Sequence, residues 1–514
     1  MALKPGDQSE PAQRLRLLLD SNVFIAVEPF YGSTEAGLER GATLVRLASE
    51  QGHTLFVHPA TRDDLYEGKD HDRRRQRLAE LQKYPMLAEC RITRSLEERA
   101  GSSVPGSNDH RDLRLLAALD AHAATYLISE DTRLRRRARR AGLRDATLTV
   151  DEAITLLEGL QPKNPTPPPH VIEVPAYTLD TEQDIFDSLR QDYGPNFDIW
   201  LDKVRADSEN RTCLAVLDDE EDYVALAILK EEKDCAYNFH NPVIKISTFK
   251  VAPNHAGAKY GELLLKSIFR IAARKQAATL YVEVFSKHEL LVDLLEIFGF
   301  QESPHQTSRN ELVLAKSLIR PADNSEYSSL DYHMLFGPPA IKTTERSFVV
   351  PIIPQWHNML FPDSPAGPPY SQMPLPGMSI ASENHPSGNA LRKAYLCNSN
   401  IGSLEPGDIL LFYRSRDLKA VTTIGIVESV IRSADPQEIM TYVGRRTVYR
   451  PDEIVTMCRS VRGVLAILFR QDRFIEPPWH LDELQENGVL RGSPQTIVTV
   501  GEKGCTWIHH QLDE

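Results

Sequence analysis

The sequence predicts a multidomain α/β protein: a parallel α/β sheet, a mixed α/β domain and a C-terminal, mostly-β barrel. Three observations lead there. Before residue 161, short apolar runs alternate with helix-patterned stretches, the signature of a parallel sheet. At 161–170, QPKNPTPPPH places five prolines in ten residues, which precludes a helix and favours an extended linker. Beyond the polar stretch RPADNSEYSSLDY at 320–332, short β-branched runs such as VTTIGIVESV are separated by turn residues, as in a small barrel. The predicted divisions are 1–160, a linker at 161–170, 171–320 and 321–514. A chain of 514 residues suits about three domains at ~150 residues each.

In the first segment, strands are expected at Leu15–Leu19, Leu55–Val57 and Tyr126–Ile128. Helices are expected around Ala36–Glu50, near 71–83, over Leu113–His122 and near 151–160. The middle segment reads as strands near 212–217, 223–230, 243–251, 279–285 and 311–316. The Pro, Ser and Gly content of 361–389 predicts a long loop. No internal repeats are found.

The formal charge of −13 argues against a protein that coats nucleic acid nonspecifically. Residues 1–160 carry 24 Lys+Arg against 25 Asp+Glu, and the remainder 35 against 47. The acidic excess therefore lies outside the first segment. Six cysteines without a C-x-x-C pair indicate reduced thiols rather than a zinc ribbon or disulfide framework. The start, MALKPGDQSE, lacks the apolar core of a signal peptide, and no stretch approaches ~18 apolar residues. A soluble, cytoplasmic protein with no membrane partner is expected.

Four acids stand out. Asp20 ends an apolar run and precedes Ser21 and Asn22; Asp64 sits in HPATRDDL; Asp112 opens DLRLLAAL; Asp131 closes YLISED. An acid at the carboxyl end of a buried strand projects into the crevice where open α/β sheets bind ligands. Acids converging there repel one another, and a divalent cation relieves the repulsion. Hard oxygen ligands suit Mg²⁺ or Mn²⁺. Acids and Asn at strand ends also serve as ordinary caps and turn formers.

The four words occur in the order of the PIN-domain ribonuclease family, which residues 14–160 resemble: LLLDSNVFI, HPATRDDL, NDHRDLRLLAA and YLISED. The resemblance implies a metal-dependent RNA endonuclease with Asp20, Asp64, Asp112 and Asp131 as catalytic acids. Asp20, Asp112 and Asp131 would hold the metal, and a 5′-phosphate would be left. Asp63, Glu67 and Asp109 are neighbours able to exchange roles with them, while Ser21, Asn22 and Ser129 would hold carboxylates or water. RLRRRARR follows directly, with Arg133, Arg135, Arg136, Arg137, Arg139 and Arg140. Beside an acidic site such a run suits phosphate contacts, arginine being bidentate. As a charge run alone it would be a solvated helix face.

From Ile244 the chain reads IKISTFKVAPNHAGAKYGELLLKSIFRIAARKQ: a strand, a Gly-containing turn and an amphipathic helix. Backbone N–H groups at such a helix start can donate to a pyrophosphate. With LYVEVF and LLVDLLEIFGF following, residues 180–318 resemble the GNAT family of acyl-CoA-dependent N-acyltransferases. The resemblance places a cofactor strand edge at Lys250–Ala252 and a pyrophosphate loop at Ala256–Gly261. Val251, Gly257, Lys259, Tyr260 and Gly261 are its cofactor-binding residues, with acetyl-CoA as cofactor. Ala256 and Lys259 depart from the family's loop, and the family's acidic tyrosine falls on Leu295, which has no proton to give. Tyr281 and Glu283 are the other sources of proton chemistry.

IKTTERSF at 341–348, GDILLFYRS and GIVESV resemble the ASCH domain, a relative of PUA-like RNA-binding barrels. Lys342, Glu345 and Arg346 are its candidate RNA-binding residues, with Arg346 one position early. Trp356, Tyr413 and Trp479 are candidates for base stacking or for the barrel core.

Together these readings predict a PIN-type ribonuclease carrying GNAT-like and RNA-reading modules, acting on RNA, with tRNA among the candidates. A toxin or stress role with an antitoxin partner follows by analogy only, and a homo-oligomer is compatible with the sequence. Two alternatives stand beside it. One is an N-acyltransferase acting on aminoacyl-tRNA or protein, with PIN and ASCH parts as scaffold. The other is a non-catalytic RNA sensor assembling with partner proteins.

Overall fold

In this computed structural model the described residues are 14–28, 38–68, 70–160, 169–218, 220–252, 255, 258–342, 346–365 and 386–513. The Pro-rich linker at 161–168 and most of the 361–389 segment lie outside them. Two compact units are present. One comprises residues up to 162 together with 394–398 and 431–466; the other comprises 163–393, 399–430 and 467–514. This differs from the sequence-based division. Residues 171–320 and most of 321–514 form one unit, and a C-terminal excursion belongs with the N-terminal segment.

The first unit holds a four-stranded parallel sheet: β1 (Arg16–Leu19), β2 (Thr54–Phe56), β3 (Tyr126–Ile128) and β4 (Thr147–Leu148), in the order β2-β1-β3-β4. Leu17, Leu18 and Leu19 are buried, as a strand covered on both faces requires. Strand order reverses direction at β1, so the crevice for a ligand lies at the carboxyl ends of β1 and β3. Helices Asn108–Asp120 and Val150–Gly159 begin at Ser107 and Thr149, whose side chains cap free N–H groups. In the excursion, helices Pro436–Val443 and Pro451–Cys458 flank Arg445 and Arg446. Both arginines are buried and pair with Asp145, and Arg445 also pairs with Glu152.

The second unit contains a seven-stranded mixed sheet: β5 (Ile172–Val174), β6 (Arg211–Leu217), β7 (Tyr223–Glu232), β8 (Val243–Val251), β9 (Thr279–Val284), β10 (Gln301–Gln306) and β11 (Leu312–Ser317), ordered β10-β11-β9-β8-β7-β6-β5. All neighbours are antiparallel except β8 and β9. Those two are joined through helix Tyr260–Arg274, and a parallel pair needs such a crossover. Alternation splits the sheet into two faces. Ala225, Ala227, Ile244 and Ile246 pack with Leu264 and Ile268 of that helix. Leu226, Ile228 and Cys213 pack with Phe197, Leu201 and Val204 of helix Asn196–Ala206.

In the C-terminal segment, where a barrel is expected, the described residues form a six-stranded mixed sheet. Its strands are β12 (Ser347–Ile352), β13 (Arg392–Cys397), β14 (Ile409–Arg414), β15 (Ala420–Ser433), β16 (Val464–His480) and β17 (Val498–Thr499), ordered β13-β16-β15-β14-β12-β17. β12 and β14 are parallel. Residues around this sheet are continuous with the preceding domain. Leu391 lies in the seven-stranded sheet's core. The buried Lys316 ammonium donates to Met334 and Leu335 carbonyls at 2.7 and 2.9 Å. Arg470 donates to the Ile297 carbonyl at 3.0 Å.

Among the described residues no helix is long and apolar enough to cross a membrane.

Candidate active sites

β1 hands the chain to helix Ser21–Val27 with Asp20 as its cap. Asp20 Oδ1 accepts from Ser21 N–H at 2.7 Å, and Oδ2 accepts from Ser129 Oγ–H at 2.6 Å. Ser129 Oγ accepts in turn from Asp131 N–H at 3.0 Å. Asp131 caps helix Thr132–Arg140, its Oδ1 accepting from Arg133 and Leu134 N–H at 2.7 and 3.1 Å. Ser129 thus bridges the ends of β1 and β3. Asp112 faces the same place from helix Asn108–Asp120: burial, then the charges of Asp20 and Asp131, push its carboxyl up to about 7. Burial likewise raises Asp20 to about 6, against the hydrogen bonds from Ser129 and Ser21 and with Asp131 and Asp64 adding repulsion. Asp20, Asp112 and Asp131 are therefore electrostatic neighbours.

Asp64 is held differently. The buried Arg111 guanidinium pairs with Asp64 Oδ1 at 3.2 Å, with Glu67, and with Asn108 Oδ1 at 2.6 Å. Asp63 turns to Arg114 at 2.6 Å. Among the described residues no three His, Cys, Asp or Glu side chains are set to hold a metal ion. Hydroxyl and backbone donors occupy oxygens of Asp20 and Asp131, and Arg111 neutralises Asp64. Both oxygens of Asp20, one of Asp131 and one of Asp64 are thus held by protein donors.

The arginine run forms helix Thr132–Arg140. Arg133, Arg136 and Arg140 are exposed, and Arg135 and Arg139 half-buried. Arg137 departs from the expected phosphate role. It is buried, and its guanidinium donates to the carbonyls of Asp109 and Gly101 at 2.6 Å each and of Ala100 at 3.3 Å. Arg140 also donates to the Ala100 carbonyl at 2.9 Å. Arg137 therefore ties the loop after helix Arg94–Ala100 to the acid-bearing helix.

In the seven-stranded sheet, β8 and β9 pair only from Val243↔Thr279 to Ile246↔Val282, whereas β8 continues to Val251. Against β7 the register shifts between Ile228↔Thr248 and Leu229↔Ile246, so Ser247 is an extra residue. A bulge bends a strand and re-aims its continuation. β8 consequently leaves β9, and a wedge opens with a main-chain edge of β8 on one lip. Thr248 and Lys250 lie on the face of helices Asp187–Tyr193 and Asn196–Ala206, as their pairing with Ile228 and Leu226 shows. Burial lowers the Lys250 ammonium's proton affinity, and nearby Asp192 opposes that. On the other lip, Asp192 accepts from Lys287 Nζ and from His288 Nε2, the latter at 3.0 Å.

Several cofactor-loop expectations shift. Ala256 and Gly257 lie outside the described residues. Lys259 adopts φ 64° before the helix and pairs with Glu262 at 3.5 Å. Tyr260 opens the helix, and Val251 ends β8 opposite Ala225. Gly261 does not face an open crevice. A Cβ there would stand 3.1 Å from Leu294 Cδ2 and 3.7 Å from the Phe249 ring, so Gly261→Asp would bury a charge against carbon. The buried Glu262 accepts from Leu391 N–H at 2.9 Å and Arg392 N–H at 3.3 Å. Leu295 is a core residue at 1% exposure. Tyr281 and Glu283 are already engaged: Tyr281 donates to Glu232 at 2.6 Å, and Glu283 accepts from Tyr237 at 2.9 Å and Lys245 at 2.6 Å.

The C-terminal candidates hold the fold. Lys342 donates to the Tyr327 carbonyl at 2.8 Å. Arg346 pairs with the buried Asp408 at 2.9 Å and with Glu405 at 2.9 Å; Glu345 lies outside the described residues. Tyr413 and Trp479 are buried in one apolar cluster, with Trp507 edge-on to Trp479 at 5.0 Å, and Trp356 is half-buried. Stacking bases is closed to the first two without unpacking that core.

The solved structures similar to this chain include ASCH from Zymomonas mobilis, at 13% identity over 32% of this chain and 92% of that one, with TM-score 0.24. An acetyltransferase of the GNAT family from Staphylococcus aureus Mu50 matches at 11% identity over 29% and 99%, with TM-score 0.25. Aminoglycoside 6'-acetyltransferase type Ii matches at 16% identity over 29% and 99%, with TM-score 0.25. No curated protein matches the chain. Residues 180–300 match the acetyltransferase (GNAT) family.

Proposed function

We propose that this protein is an acyl-CoA-dependent N-acyltransferase whose centre is the wedge between β8 and β9. One observation carries the reading: a parallel pair that separates after Ile246↔Val282, within the segment matched to the acetyltransferase family. The bare edge of β8 from Ser247 to Val251 presents amide donors and acceptors at strand spacing, which suits a narrow, amide-bearing ligand. Acetyl-CoA would supply the acyl group as a thioester. The β8 edge and the N–H groups opening helix Tyr260–Arg274 would hold it, and the acceptor amine would enter on the face of helices Asp187–Tyr193 and Asn196–Ala206. Aminoacyl-tRNA and protein amines are the two acceptor classes to assay.

Calorimetry on the full chain is expected to show saturable acetyl-CoA binding. A hundredfold excess of ligand over Kd should stabilise the second unit by ~2.7 kcal/mol. Absence of both heat and thermal shift at millimolar acetyl-CoA would remove the reading. The full chain is needed because Leu391 and the Glu262 hydrogen bonds bind residues 386–392 into this domain.

A second reading rests on the mutual repulsion of Asp20, Asp112 and Asp131. Such a cluster at a sheet's switch point is where a hydrolytic centre is built, and the PIN-like words make RNA its target. Labelled total RNA incubated with the protein and Mg²⁺ or Mn²⁺ would then yield new ends in wild type and at least ~100-fold more slowly in Asp112→Asn, as for loss of a major catalytic group. Equal cleavage by both would assign any activity to a contaminant.

A further inference from the structure

We infer that His288, held by Asp192, is the general base of the acyl transfer; this rests on the acyltransferase reading above. His288 follows β9 and caps helix Glu289–Ile297. Its Nε2–H donates to Asp192 Oδ2 at 3.0 Å, and Lys287 Nζ donates to Oδ1 of the same carboxylate. Asp192 is largely buried, with 15% of its side chain exposed. Burial raises its carboxyl, yet Lys287 and His288 together hold it below the ordinary carboxylate range. A carboxylate on Nε2 fixes the tautomer and leaves Nδ1 as the lone-pair nitrogen. Nδ1 is not consumed in capping the helix, since no side-chain cap bond is made there. The ring is 40% exposed, so Nδ1 can meet a ligand.

Position supports the same role. Asp192 acts on Lys250 across the wedge and on His288 at the opposite lip, which puts the dyad at the mouth where the strands part. Other proton donors are otherwise engaged. Leu295 fills the core, Tyr281 is bonded to Glu232, and Glu283 is bonded to Tyr237 and Lys245. The base and its orienting acid reproduce the arrangement that activates nucleophiles elsewhere.

Nδ1 takes one proton from the acceptor's ammonium, and the freed nitrogen lone pair attacks the thioester carbonyl carbon. The C–N bond forms, the C–S bond breaks, and the electron pair leaves on the CoA sulfur. The imidazolium's proton passes to that thiolate, and the new amide's second N–H proton goes to solvent at the ring's exposed edge. Overall an ammonium and an acyl thioester become an amide, a thiol and one proton.

The charged groups around the ring are Asp192, Lys287 and Glu289, with Lys250 across the wedge and Arg309 and Glu311 behind Tyr193. The test is thiol release from acetyl-CoA by the full chain with aminoacyl-tRNA and a lysine-containing peptide as acceptors, alongside calorimetric acetyl-CoA binding. His288→Ala is expected to bind acetyl-CoA as wild type does, to lose roughly 100-fold or more in kcat/KM, and to recover part of it with added imidazole. Asp192→Asn, a positioning variant, should lower kcat more than it raises KM, because the ring loses the carboxylate that orients it. Turnover by His288→Ala at the wild-type kcat/KM would overturn the base assignment and leave the acyltransferase reading standing. Failure of wild type to bind or turn over acetyl-CoA would overturn both.

Discussion

Asp20→Asn is expected to be more stable than the wild type at pH 8, by ~1–2 kcal/mol, and to lose part of the pH dependence of the first unit's melting, Asp112 keeping the rest. The wild-type carboxyl is buried and held up at about 6 instead of near 3.9 as in an unfolded chain. Such a group favours the folded state fully only below its unfolded value. That contribution is lost as pH rises through the folded value, between about 4 and 6 here, and ionisation then strains the fold. The full difference corresponds to ~3 kcal/mol, and sharing of charge with Asp112 and Asp131 reduces the part a single change recovers. Asn keeps the geometry, because it caps helices as well as Asp and its oxygen can still accept from Ser21 N–H. The Ser129 hydroxyl must turn from donor to acceptor, which hydroxyls do freely. Asp112→Asn should act in the same direction. At ~2–4 °C per kcal/mol, thermal melts at pH 5 and pH 8 resolve the effect. The variants also separate the two readings of the acids: Mg²⁺ or Mn²⁺ that raises the wild-type midpoint at pH 8, but not that of Asp20→Asn, would place a cation there. Midpoints for both variants at or below wild type at pH 8 would mean that the carboxylates are compensated by groups other than those described.

Local pattern carried most of the strands. Leu17–Leu19, Tyr126–Ile128 and Val243–Ile246 are uninterrupted apolar or alternating runs, and buried strands need little else. The place of Asp20 and Asp131 at strand ends was equally legible, because strand, acid and helix start are adjacent in the chain there. Features made by distant residues were not. His288 and Asp192 stand 96 positions apart, and no spacing rule joins them. A loop motif marks Gly261 as a phosphate contact, but the side a glycine faces depends on what packs there, and Leu294 does. Leu295 is a core residue because the run LLVDLLEIF puts leucine on the buried face, a periodicity that outweighed the motif's register. Arg137 was one of six equivalent arginines until helix phase turned it inward to backbone carbonyls. The excursion at 431–466 was hidden for a similar reason. Its helices look like any others, and only the tertiary partners of Arg445 and Arg446 reveal the unit they complete.

That excursion makes the second large effect specific. Gly444→Ala is expected to destabilise the first unit by ~3 kcal/mol or more. Gly444 has φ +51°, and a Cβ there would lie 2.2 Å from the Asp145 carbonyl oxygen and 2.4 Å from its carbon. Neither atom belongs to a side chain able to rotate away, so backbone must move. Movement would disturb what surrounds the glycine: Tyr126 Oη–H donates to its carbonyl at 3.3 Å, and Arg446 Nε donates to Asp145 Oδ2 at 2.7 Å. Arg445, buried beside it between Asp145 and Glu152, would risk being left as an unpaired charge, a loss of ~3–5 kcal/mol when it happens in an interior. Gly402→Ala and Gly492→Ala meet nothing within 4 Å and should stay within about ±0.5 kcal/mol. Urea unfolding of the full chain gives the magnitudes, and hydrogen exchange at Tyr126–Ile128 locates the effect in the first unit. A Gly444→Ala protein as stable as the two controls would show that residues 431–466 rest loosely on the parallel sheet. The predicted loss would mean that a fragment ending at residue 160 lacks part of its own fold, so that assays of the acid crevice belong on the full chain.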